Sequence, residues 1–284
     1  MSGFLTKVME ERRRDALLAA QRVPQSALAK EVRSAPPRRS LQNLAARDQA
    51  RAPAIIAELK RGSPSAGQLR AAYQPAALAA IYAQAGAAAI SVLTEPRYFL
   101  GSAAHLRAVR QAVDLPILLK DFISTPYQVW EAAALGADVV LLIAAGLDLP
   151  TLHSLAALAR EIGLEVLVEV HDQVELERVS DMEQVMLGVN TRDLQTLQVD
   201  LEVAARLAPL LPVGRLCIAE SGIRTRQDIE RLGALGYGGF LIGEALMRAP
   251  DIGLHLKTLL GLAPAPAGTG SGCLRAEAGD GHGG

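Results

Sequence analysis

Two lysines carry the strongest chemical signal in this chain. Its 284 residues hold five lysines, at positions 7, 30, 60, 120 and 257, against twenty-four arginines. Where arginine is the habitual surface cation, a retained lysine is informative, because burial tunes the proton affinity of an ammonium far more readily than that of a guanidinium. Lys60 and Lys120 each close a short apolar run, in AIIAELK and ILLKD. Other runs end in carboxylates or amides: Glu58 two residues before Lys60, Glu169 in EVLVEV, Asn190 in VMLGVN with Arg192 two residues on, and Glu220-Ser221 after RLCIA. Ammonium and carboxylate groups gathered in one place are the equipment of general acid–base catalysis. Each residue alone has a plainer reading. Lys120-Asp121 forms a local ion pair, and Glu220-Ser221 caps a helix start. Their recurrence on six of eight apolar runs is what favours a shared site.

An anion site is legible beside them. Ser221-Gly222 follows one run and Gly243-Glu244 follows the last. Glycine lets backbone N–H groups approach an anion closely. Ser63, in the loop Arg61–Ser65, adds a hydroxyl and Lys60 a point charge, while Glu244 can offer only its backbone N–H. Tight turns between strand and helix are the competing explanation for these glycines. The loop from Lys60 to Gln74 exceeds the usual few residues of such a connection and is a candidate lid.

These groups need elements to position them. Eight β-rich runs recur: Ala54–Glu58, Ala89–Leu93, Ile117–Asp121, Asp138–Ile143, Glu165–Val170, Val185–Asn190, Arg215–Glu220 and Gly239–Gly243. They are near-continuously apolar, as strands buried on both faces must be. Between them, Pro75–Ala85, Ser102–Ala112, Pro126–Leu135, Leu149–Ile162, Leu201–Leu210 and Thr225–Leu235 have helical periodicity, several ending at a glycine (Gly86, Gly136, Gly163) suited to a C-cap. Eight alternating units predict an α/β fold, a closed (β/α)₈ barrel, with an open doubly wound sheet as the alternative. In such a barrel the polar strand ends converge at one mouth, and the loops after the seventh and eighth strands hold phosphate.

The flanks differ. Residues 1–50, with a charged helical stretch Phe4–Gln21 and a Pro/Arg-rich link at Ser34–Ser40, predict an N-terminal extension packed on a barrel spanning 51–262. The Gly/Ala/Pro-rich tail 263–284 has the composition of a disordered segment. Its end, Gly279–Gly284, matches G-x-G-x-x-G, but no strand precedes it and no helix follows, so it is no dinucleotide site.

Composition narrows the partners. Hydrophobic residues make up 50% and charged residues 21%, which supports a large core. A net charge of −1 and 4% aromatics argue against nucleic-acid binding. The two cysteines, Cys217 and Cys273, suggest no disulfide framework, and the five histidines show no i, i+4 metal pair. No apolar run is long enough for a membrane span and the start lacks a signal-peptide pattern, so a cytoplasmic setting is expected.

Seven motifs then occur in order: IIAELKRGSPS, LLKDF, LLIAA, VEVH, GVNTRDL, AESGI and FLIGEALM. Over roughly residues 4–260 the chain resembles the indole-3-glycerol phosphate synthase family of tryptophan biosynthesis. The resemblance implies a (β/α)₈ barrel that closes, decarboxylates and dehydrates 1-(2-carboxyphenylamino)-1-deoxyribulose 5-phosphate without metal or organic cofactor, as a monomer or weak homodimer. It implies Lys120 as catalytic lysine, Glu169 as catalytic glutamate, and Glu58 and Lys60 as the assisting pair. Asn190, Arg192, Glu220 and Ser221 would hold the hydroxyls and carboxylate region of the substrate. Ser63, Lys60, Gly222, Gly243 and Glu244 match the phosphate site, and Phe99, Phe122 and Ile143 the apolar lining for the anthranilate ring. Some family members carry serine where this chain has Glu244, so a hydroxyl contact from that position is not expected here. Phosphoribosylanthranilate isomerase, another sugar-phosphate barrel, and a non-catalytic phosphate binder are the alternatives.

Overall fold

The computed structural model describes residues 3–43, 53–194 and 196–262. Eight parallel strands close a barrel: β1 (Ala54–Leu59), β2 (Ala89–Leu93), β3 (Ile117–Lys120), β4 (Val139–Ile143), β5 (Glu165–Val170), β6 (Met186–Asn190), β7 (Cys217–Glu220) and β8 (Gly239–Ile242). Each strand pairs with its sequence neighbours, and β8 returns to β1 in parallel register, Ala54 opposite Gly239. Closure excludes the open sheet. The register brings Asn190 opposite Glu220 and Ile143 opposite Glu169, so polar strand ends share one rim.

The local reasons are readable. All residues of β1, β2, β4 and β6 are buried, which is why these runs lack polar alternation. Helices α3 (Pro75–Ala85), α4 (Ala103–Ala112), α5 (Pro126–Leu135), α6 (Leu149–Glu161) and α9 (Arg226–Ala234) form the outer layer. Thr125 and Thr225 start α5 and α9 with reciprocal capping boxes, to Gln128 and Asp228. Gly86 and Gly136 end α3 and α5 at φ 102° and 94°, a left-handed turn costly for any other residue. The Leu201–Leu210 run is shorter as a helix than its periodicity suggests: Glu202–Leu207, then a 3₁₀ turn Ala208–Leu210. Pro209 has no N–H to continue the α-helical ladder. Helices α1 (Phe4–Arg22) and α2 (Gln25–Ser34) in the extension, α7 (Gln173–Arg178) after β5, α8 (Glu202–Leu207) after β6, and α10 (Glu244–Arg248) and α11 (Ile252–Leu260) after β8 are the others among the described residues. The 50/51 boundary and the tail 263–284 lie outside the described residues.

The extension straps the barrel from mouth to base. Helix α1 (Phe4–Arg22) buries Val8 and Met9 in the main core. Its Arg12 grips Asp121, just past β3, with two parallel bonds of 2.8 Å, and Thr94 Oγ1 donates to the same carboxylate at 2.6 Å. Farther along, Ser40 Oγ and Leu41 N donate to Glu165 at the start of β5, and Arg38 donates to the carbonyls of Ala133 and Ala137. Arg12→Ala would leave Asp121, 5% exposed, with its charge uncompensated. The expected loss is about 3 kcal/mol of unfolding free energy, read by urea denaturation, because stranding a buried carboxylate costs far more than an exposed pair contributes.

Candidate active site

The strand ends surround an open cleft. Lys120, last residue of β3, lies on its floor between two carboxylates from the opposite side of the barrel. Its Nζ is 3.2 Å from Glu169 Oε2 of β5 and bonded to Glu220 Oε2 of β7. Glu58 of β1 pairs with Lys60 at 2.8 Å. Glu58, Glu169 and Glu220 are 3%, 2% and 0% exposed, so their charges act at short range with little water between them.

Burial alone would push the Lys120 ammonium toward neutrality, but Glu220, Glu169 and Glu58 together hold it above the ordinary lysine range. For Glu169, burial would favour the acid; Lys120 and His171 reverse this and hold it below the ordinary carboxylate range. Glu58 is likewise lowered, against its own burial, by Lys60 and Lys120. Glu220 goes the other way: burial, helped by the nearby Glu169, raises it to about 7 despite Lys120. One carboxylate held ionised beside another near neutrality is the arrangement that separates base from acid.

Two glycines make room for these groups. A side chain at position 188 would collide with Glu220 Oε1, and one at 243 with Glu58 Oε1. Gly188 therefore lets Glu220 reach inward from the next strand, and Gly243 admits Glu58.

The cleft has two unlike walls. One is apolar: Phe99 and Phe122, with ring centroids 6.0 Å apart, together with Phe4, Leu93 and Ile143. The other carries Ser63, Lys60, Ser221, Gly222, Gly243 and Glu244. Ser221 and Gly222 both have positive φ, 66° and 75°. A non-glycine residue in that region is strained, and such strain collects at ligand clamps. Asn190 sits on the rim, its Oδ1 accepting from Arg192 N at 3.0 Å, while Arg192 reaches Leu197 O at 2.9 Å and lies 3.5 Å from Glu244.

The sequence-predicted residues thus converge on one cleft. Glu220 sits at its floor, one oxygen bonded to Lys120 and Oε1 buried without a partner. Other contributors went unpredicted. Phe4 comes from the extension, where a lone aromatic has no periodic signal pointing to a barrel mouth. Leu194, Leu197 and Val199 form a cover after β6. His171 stands just past β5, between Glu169 Oε1 at 3.3 Å and Glu175 Oε2 at 3.1 Å. Its presence in VEVH was the available signal. Among the described residues, no group of three or more His, Cys, Asp or Glu is placed to hold a metal, and no helix is long and apolar enough to cross a membrane.

Burial disfavours the charged His171 ring, but the two carboxylates overcome it and push it up to about 10. The folded protein therefore holds a proton that the unfolded chain gives up. This stability is complete below 6.5 and is lost as pH rises through about 10. Denaturant titrations across that window are expected to show the decline, and His171→Asn to remove this component of it.

Comparison with known proteins adds the family. The family model for indole-3-glycerol phosphate synthase matches residues 5–259. The synthase of Magnetococcus marinus is 44% identical over 262 residues, covering 91% of this chain and 98% of that protein. That of Parafrankia sp. is 47% identical over 250 residues, covering 87% and 91%. Among solved structures, 3-hexulose-6-phosphate synthase from Salmonella typhimurium superposes with a TM-score of 0.59 over 74% of this chain and 97% of that one, at 14% identity, a likeness of fold alone. With a family match across almost the whole barrel and extension, this chain belongs to the indole-3-glycerol phosphate synthase family.

Proposed function

We propose that the protein converts 1-(2-carboxyphenylamino)-1-deoxyribulose 5-phosphate to indole-3-glycerol phosphate, carbon dioxide and water, as a step of tryptophan biosynthesis in the cytoplasm. The observation that carries this reading is the ammonium of Lys120 on the floor of a cleft whose walls are apolar on one side and glycine-turned on the other. The anthranilate ring fits against Phe4, Phe99, Phe122 and Ile143. The phosphate fits the backbone at Ser221-Gly222 and Gly243-Glu244, with Ser63 and Lys60. Fixing both ends brings the ring carbon onto the ketone carbon, and such orientation is worth many kcal/mol of barrier.

Ring closure builds negative charge on the ketone oxygen. Lys120 donates its proton there and leaves a hydroxyl. The ring is now an iminium, an electron sink. The bond to the carboxylate breaks, its electron pair restores the aromatic ring, and carbon dioxide departs. Dehydration follows: an acid protonates the departing hydroxyl while a base takes a proton from the neighbouring ring carbon. Glu169, Glu58 and Lys60 face the cleft and are the groups for these transfers. Asn190 and Arg192 hold the sugar hydroxyls and the carboxylate region. Glu220, bonded to Lys120, and Ser221 join them in that task.

The test is direct. Purified protein given the synthetic carboxyphenylamino sugar phosphate, with chelator present, is expected to develop indole fluorescence. Isomerisation of phosphoribosylanthranilate instead, or binding without turnover, would replace this reading with one of its alternatives.

A further inference from the structure

We infer that His171 delivers solvent protons to the site through Glu169, refilling the donor that ring closure empties. This rests on the reaction proposed above. In that reaction, carbon–carbon bond formation moves one proton from Lys120 to the ketone oxygen. Loss of carbon dioxide moves only an electron pair. Dehydration takes one proton from an acid and returns one to a base. A carboxylate has become carbon dioxide, so each turnover draws one proton from solvent. Lys120 is left as a neutral amine, and substrate filling the cleft blocks the open side.

The fold offers a way in from behind. His171 does not line the cleft; it stands on the far side of Glu169. The two oxygens of Glu169 face opposite ways, Oε2 at 3.2 Å from Lys120 Nζ and Oε1 at 3.3 Å from His171 Nε2. That Nε2 is buried and has no aligned hydrogen-bond partner, so the ring is not locked in place there. On its other side Nδ1 lies 3.1 Å from Glu175 Oε2, and the same oxygen accepts from His171 N at 2.9 Å. Glu175 belongs to the first turn of the helix Gln173–Arg178, and its side chain is 16% exposed. Glu175, His171, Glu169 and Lys120 therefore form a line from solvent to the ammonium.

The transfer balances. The N–H bond at Nε2 breaks and an O–H bond forms on Glu169. The protonated carboxyl turns about its Cγ–Cδ bond, presents this O–H to Lys120 and gives the proton to the lone pair of Nζ, restoring ammonium and carboxylate. The neutral imidazole, left bare at Nε2, turns about its Cβ–Cγ bond to bring that nitrogen to the solvent side at Glu175, takes a solvent proton there and turns back. Glu175 steadies the imidazolium, so the store is full at neutral pH.

A His171 that only orients Glu169 would be equally costly to remove, so the test uses chemical rescue. His171→Ala is expected to lower kcat by about 10²-fold, the low end for an acid–base group, with KM little changed. Added imidazole at constant pH and ionic strength should restore kcat in proportion to its imidazolium form. A folded variant with parental kcat, or with a loss that imidazole leaves untouched, overturns the relay. Should the alanine variant not fold, His171→Gln decides: it can bond Glu169 but carries no transferable proton. Lowered kcat at parental KM then supports the relay, and parental kcat overturns it. A parent protein that forms no indole-3-glycerol phosphate overturns the reaction and this inference together; a working parent matched by its His171 variants overturns this inference alone.

Discussion

Lys120→Met is expected to reduce indole-3-glycerol phosphate formation by roughly 10²–10⁴-fold, the range for removing a general acid. It should do so while the barrel stays folded, since methionine keeps the length and apolar stem of lysine. The variant has a second expected signature. Glu169 and Glu220, 2% and 0% exposed, lose the cation between them. Leaving buried charge unpaired costs about 3–5 kcal/mol. The carboxyls answer by holding protons, so their folded pKa values rise above the unfolded value of 4.5, Glu220 beyond its present value of about 7. Groups raised in this way stabilise fully below the unfolded pKa and less as pH rises through the folded one. The stability gap between Lys120→Met and the parent should therefore widen from 4.5 upward through about 7. Thermal melts across that range measure it. Near-parental turnover by the variant would remove Lys120 from the chemistry.

How much of this was legible in the sequence depended on the kind of signal. The barrel strands are apolar on both faces, so their runs stand out: Ala89–Leu93 and Glu165–Val170 match at both ends and the others differ by at most two residues, as at Cys217–Glu220. Lys120 and Glu169 were visible because charged or amide groups recur on six of the eight apolar runs, where each alone would have a plainer reading. Glu220 was visible by the same rule. How far its side chain reaches inward depends on the residue across the sheet, here the space above Gly188. Phe4 and the lining by Leu194, Leu197 and Val199 are contacts over long sequence separations, which no periodicity encodes. The tie between Arg12 and Asp121 also joins residues 109 apart, and only the fold brings them together. Asp121, just past β3, reaches both: it lines the cleft with Lys120 and Phe122 while its carboxylate is held by Arg12 of the extension.

Glu169→Gln carries the second large expected effect. Glutamine keeps the shape of the side chain but not its charge, and the groups around it have been set by that charge. Turnover is expected to fall by roughly 10²–10³-fold through kcat, with KM far less affected, the pattern of an interaction made in the transition state. The His171 ring should report the same change independently. Glu169 is one of the two carboxylates that push it up to about 10, so in Glu169→Gln its pKa falls toward 6.5. Histidine-resolved NMR titration of parent and variant measures this without reference to activity. An unchanged His171 titration would contradict the proposed coupling between the two residues, and an unchanged kcat would contradict the role of Glu169.

The central claim is that one cleft holds the phosphate end and the aromatic end of a single substrate so that the ring carbon bearing the carboxylate attacks the ketone. Substrate labelled with ¹³C in that carboxylate tests it most directly, followed by NMR in the presence of purified protein. The account predicts that the label leaves as carbon dioxide and bicarbonate, one for each indole ring formed. Label retained in the product, whether after isomerisation or in unreacted bound substrate, would contradict it.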